Sequence, residues 1–319
     1  MIDFRYHLVS IVSIFLALAV GIVLGAGPLK GDLGTRLTQE TNALRADKTQ
    51  LRTELDAEQR GTAARDSFSD SIAPAIMKNQ LTGKTVALVL APGADSDLVK
   101  KTTASLVAAG AKVGSTITLT DAWADPAKRT FRNTLASQLA DQVKAPLTAS
   151  TPDQLAATVL ARAILGGTDQ TTQRLDPAVS AALDGLKAGD LVTVSPDQIV
   201  PASSAVFIGG PVKGSTQPDT DSRLADYVQL VRALDAAGAG AVVINLPNPA
   251  NRTISADVVA AVRKDGDAAK VVSTVDDGDL SMGQATLVLA LAEQYSGGSG
   301  QYGLAADAKA IVPDIAALR

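Results

Sequence analysis

The chain has 319 residues, 46% hydrophobic and 19% charged, which is enough apolar material for one large domain or two small ones. Its net charge of −4 and its lack of any basic run argue against binding nucleic acid. It has no cysteine and a single histidine, His7, which excludes disulfides, thiolate metal sites, a cysteine nucleophile and a Ser-His-Asp triad in the soluble part.

The first element is predicted from Leu8 to Leu29, an uncharged run of about 22 residues, where a bilayer core needs roughly 20. Arg5 precedes it, and Lys30, Asp32 and Arg36 follow, so the charge balance leans only slightly toward a cytoplasmic N-terminus. A cleaved signal peptide is the competing reading, with Gly25, Ala26 and Gly27 near a cut. The length of the run and its weakly basic flank favour an uncleaved anchor over residues 1–29. Ala17, Gly21 and Gly25 recur every four residues, a spacing that lets two membrane helices approach closely. Glycine is also common in membrane helices for no such reason.

Gly27-Pro28 is expected to end this helix. A second helix is predicted from about Leu33 to Asp66, forming a stalk over residues 30–66. Leu37, Leu44 and Leu51 are spaced by seven and Leu55 follows by four, the pattern of a short coiled coil with leucines at d. Thr41, Lys48 and Leu55 then occupy a, so the seam is imperfect, and alone it would be marginal. Tethered at a membrane, dimerisation becomes plausible. A solvated helical spacer is the alternative.

Residues 67–319 change character. Short apolar runs at Thr85–Leu90, Lys112–Leu119, Leu191–Val194, Ala205–Ile208, Ala241–Leu246 and Val271–Val275 read as strands buried on both faces. Helical stretches between them (Asp97–Ala109, Phe131–Gln142, Asp153–Leu165, Pro177–Leu186, Arg223–Ala237, Ser255–Arg263 and Leu280–Tyr295) give a βαβ alternation. The fold class is therefore α/β: a mostly parallel, Rossmann-like three-layer sheet domain behind a membrane helix and a short coiled coil. Gly110, Gly189 and Gly238 follow helices and are expected as left-handed caps.

In such sheets a ligand sits where the strand order reverses, which singles out the loops Ala91–Asp95, Gly209-Gly210-Pro211 and Asn245-Leu246-Pro247-Asn248. None makes a GxGxxG or Walker motif, so their glycines read as turn-formers. No spacing singles out a catalytic pair, so a non-enzymatic protein is expected, and no cofactor is identified. The densest acidic segment, Asp276-Asp277-Gly278-Asp279, reads either as a hard-cation site such as calcium or as a polar turn and N-cap.

The opening FRYHLVSIVSIFLALAVGIVLGAG, the heptad stalk, STVDDGD at 273–279 and QYG at 301–303 together resemble the MctB family over essentially the whole chain. The resemblance implies an actinobacterial envelope protein with a role in copper export or homeostasis. Some members are described as outer-membrane channels, and some as SteB, a coiled-coil partner that activates a septal peptidoglycan hydrolase. Copper enters only through this resemblance. Copper(I) prefers sulfur and imidazole ligands, and the chain offers Met1, His7, Met77 and Met282. The expectation is thus a single-pass membrane protein, dimeric, with its soluble domain outside the cytoplasm. The alternative is a membrane-anchored scaffold that holds an envelope protein partner.

Overall fold

The computed structural model describes residues 4–25, 29–144, 151–166, 177–196, 199–247 and 257–314. Gly27-Pro28 lies outside them. Two compact units divide the chain, Met1–Arg65 and Asp66–Arg319.

In the first unit, α1 (Phe4–Gly25) is helical throughout and exposes its apolar side chains. It is the one described helix long and apolar enough to cross a membrane. The first part of α2 (Leu29–Met77) follows, with Leu37, Leu44, Leu51 and Leu55 all exposed. Serine and threonine on these helices turn inward to their own backbone: Ser13 Oγ donates to the Val9 carbonyl at 2.9 Å and Thr41 Oγ1 to that of Leu37 at 2.6 Å.

The second unit is built on a seven-stranded sheet. Its strands are β1 (Thr85–Leu90), β2 (Lys112–Leu119), β3 (Val192–Ser195), β4 (Ser204–Ile208), β5 (Ala241–Ile244), β6 (Ser273–Val275) and β7 (Gln301–Tyr302). The order is β3-β2-β1-β4-β5-β6-β7, and every pairing is parallel except that of β2 with β3. The first six strands follow the order of dinucleotide-binding folds.

The helices complete three layers. They are α3 (Ser96–Ala108), α4 (Arg129–Leu139), α5 (Pro152–Ile164), α6 (Pro177–Ala188), α7 (Gln217–Ala237), α8 (Val258–Lys264), α9 (Ala268–Val271) and α10 (Ser281–Tyr295). Alternate residues of each central strand serve opposite cores. Ala87, Val89, Phe207 and Val243 join α4–α8 on one face, while Val86, Leu88, Ile208 and Ile244 join α3 and α10 on the other. A strand with two buried faces needs apolar side chains at every position, which is why these runs are unbroken.

Several expectations are corrected. The second helix does not stop at Asp66: α2 continues to Met77, because Ala73 and Met77 bury into the core that α3 and α10 share. Val271 belongs to α9 rather than to a strand, and β7 has no counterpart among the predicted elements. Of the three expected caps, Gly110 alone takes the left-handed conformation (φ +86°). After α6 that conformation falls on Asp190, and Gly189 serves close packing instead, since a Cβ there would lie 2.6 Å from Leu135 Cδ2. Gly238 is extended.

A buried ion pair bolts two helices of the larger core. Arg132 on α4 donates from Nη1 and Nη2 to the two carboxylate oxygens of Asp226 on α7, each at 3.0 Å, and Nη1 also reaches the Trp123 carbonyl. Two parallel charge-assisted bonds fix the helix register as well as satisfying both charges.

Candidate functional site

β1 has β2 on one side and β4 on the other, so the strand order reverses between β1 and β4. The loops after β1, β4 and β5 converge there around a cleft of about 370 Å³, lined by Gly93, Asp95, Gly210, Lys213, Asn245 and Asp257 among others. Asn248 of the third loop lies outside the described residues. Gly93 takes φ +70°, as expected of a turn-former, whereas Gly210 serves close approach: a Cβ there would lie 2.5 Å from the Pro92 carbonyl oxygen.

The electrostatics of this cleft differ from those of a phosphate cradle. Asp95 accepts from the backbone N–H of Asp97 at 2.9 Å and of Leu98 at 2.8 Å, so its own carboxylate occupies the N-terminus of α3. An incoming phosphate would meet that charge where dinucleotide-binding folds offer free N–H groups. Asp257 is buried and accepts from Asn245 Nδ2 at 2.6 Å and from Val259 N at 2.9 Å. Burial pushes its carboxyl above the ordinary aspartate range, against the pull of those donors. The pair ties the β5 loop to the start of α8. Its sequence signal was an N-cap: Asp257 directly precedes the first turn of α8, two residues beyond the start expected at Ser255.

The acidic segment after β6 splits into three environments. Asp276 Oδ2 pairs with Arg263 Nη1 at 2.7 Å, both side chains buried, and Oδ1 accepts from Leu304 N at 2.8 Å. Arg263 also donates to Thr274 Oγ1 and to the Tyr302 carbonyl, so this cluster ties α8, β6 and β7 together. Asp277 is fully buried, and neither carboxylate oxygen has a hydrogen-bond partner outside its own residue. Burial first and the neighbouring Asp276 second push its pKa up to about 6. Asp279 is exposed, and its carbonyl accepts from Lys101 Nζ at 2.8 Å. Among the described residues, no group of three or more His, Cys, Asp or Glu gathers to hold a metal ion. Nor does the segment supply a cap: α10 starts after Leu280 with no side-chain capping bond.

The soft donors lie in different surroundings. His7 is exposed on α1, Met77 is packed in the core, and Met282 is half-buried in the first turn of α10. Met1 lies outside the described residues. Ala17, Gly21 and Gly25 are exposed along α1, and nothing lies within 4 Å of a Cβ built on either glycine.

A family described as "Copper transport outer membrane protein, MctB" matches residues 1–313. Copper transporter MctB of Mycobacterium tuberculosis (strain ATCC 25618 / H37Rv) is 29% identical over 308 residues, covering 95% of this chain and 96% of that protein. The protein of the same name from Mycobacterium bovis has the same identity and coverage. That of Mycobacterium leprae is 29% identical over 322 residues, 98% of this chain and 99% of its own length.

Proposed function

The chain belongs to the MctB family, and from that premise we propose that it serves copper transport and homeostasis, working from a membrane through α1. The observation that carries the reading is the extent of the match: residues 1–313 fit the family, anchor and domain together. Relatives named as copper transporters align over 95% of the chain or more. The family is one of transport proteins rather than enzymes, which fits the absence of histidine and cysteine from residues 66–319. The scaffold alternative draws no support from these names.

In the finer reading, α1 crosses the membrane once and the α/β domain stands outside the cytoplasm. The family description names an outer membrane, which is the competing location.

Copper is the cargo here, and the residues favour an indirect role in moving it. Copper(I) takes thioether, thiolate and imidazole ligands. Met77 is committed to the core, and residues 66–319 hold only one other soft donor, Met282. The hydroxyl of Ser13 is spent on its own helix, and one apolar helix cannot by itself enclose a polar path. We therefore read the protein as one component of a copper-exporting assembly. Deleting its gene should raise cell-associated copper and lower the tolerated copper concentration, and the wild-type gene should restore both. Unchanged copper content and tolerance in the deletion strain would overturn the proposal.

A further inference from the structure

The stalk half of α2 carries more than a leucine seam. With Leu37, Leu44 and Leu51 at d, the g positions are Glu40, Asp47 and Glu54, and the e positions are Thr38, Arg45, Arg52 and Gln59. One flank of the seam is therefore acidic and the other basic. In a parallel coiled coil each g residue faces the e residue five positions on in the partner helix, and these pairs set partner choice and orientation. Glu40 then faces Arg45 and Asp47 faces Arg52, each twice by symmetry, while Glu54 faces Gln59. In an antiparallel pair g would face g and e would face e, setting acid against acid and arginine against arginine.

We propose that this stalk is the interface of a parallel, in-register homodimer, its occupant a second copy of the same chain. The segment is helical, and its leucines stand in solvent at 57–67% exposure among the described residues. Glu40, Arg45, Asp47 and Arg52 make no ion pair within the chain among the described residues. Acid on one flank and base on the other make the helix complementary to itself. Lys48 at an a position adds selectivity, since a charged residue there costs stability but restricts register and oligomer number. The apolar seam from Leu37 to Leu55 is short, and tethering both copies in one membrane raises their effective concentration enough to compensate. The inference stands apart from the copper reading, and either can fail without the other.

The test uses the full chain in membranes, where the lack of native cysteine makes single-cysteine crosslinking unambiguous. Thr41→Cys at a should give a disulfide dimer, and Ala46→Cys on the opposite face should not. Adding Glu40→Lys with Asp47→Lys to Thr41→Cys should reduce the dimer band to background, as should Arg45→Glu with Arg52→Glu. Combining all four changes in one chain should restore it, which membrane proximity or a helix defect cannot mimic. No Thr41→Cys dimer, equal crosslinking at Ala46→Cys, or a band insensitive to the charge changes would each overturn the proposal.

Discussion

Asp277 shows why a residue type in a motif does not disclose its role. Three aspartates within four positions suggested a cation site or a helix cap, yet what each carboxylate does depends on groups far along the chain. Asp276 is neutralised by Arg263 and held by the backbone at Leu304. Asp277 receives no such partner and pays for its burial with a pKa pushed up to about 6. An unfolded aspartate loses its proton near 3.9, so the native chain binds the extra proton between about pH 4 and 6. The stability tied to that proton is full below the unfolded value and is lost as pH rises through the folded one. Asp277→Asn removes the charge with little change of shape. It should stabilise the protein at pH 7.5 by on the order of 2–3 kcal/mol, with the difference vanishing near pH 4. Urea denaturation at the two pH values measures this, and an equal gain at both would mean that charge is not the cause.

At the scale of elements, the strands were legible because burial on both faces demands unbroken apolar runs. β1 and β2 form over the predicted bounds, and β4 starts one residue early. β7 has two residues, too short to leave a periodic signal. The end of α2 was missed for a different reason. Beyond Asp66 the helix buries only widely spaced small or flexible side chains, Ala73 and Met77, with Pro74 between them. Proline usually argues for a break, but here the helix is carried on by that contact with the core, to which Asp70 adds a hydrogen bond with Ser281 of α10. If that contact holds the end of α2, Met77→Ala should destabilise the folded domain by about 2–5 kcal/mol. A urea midpoint within error of wild type, in detergent-solubilised full chain, would show that the last turns of α2 are a passive extension.

Across the whole molecule, strand alternation predicted a parallel sheet, but not the reversal of β3 or which loops would meet. Strand order depends on contacts that no local pattern encodes. The resulting cleft has the topology of a dinucleotide site with the electrostatics inverted, because Asp95 already occupies the helix N-terminus that a phosphate would use. A shared fold therefore does not supply a shared ligand, and function has to come from what the molecule does in a membrane. The one described apolar helix is too little to surround a polar path, so the proposed role in copper movement requires more than one copy or an added partner. If the requirement is for copies, stalk pairing and copper tolerance are linked. The variant carrying Glu40→Lys and Asp47→Lys should lower the tolerated copper concentration toward that of the deletion strain. The variant carrying those changes with Arg45→Glu and Arg52→Glu should recover it, at matched protein levels. Growth across a copper series, read beside crosslinking of the same cells, makes the comparison. Full tolerance in the unpaired variant would show that a single copy suffices and would move the search for the copper path to another protein.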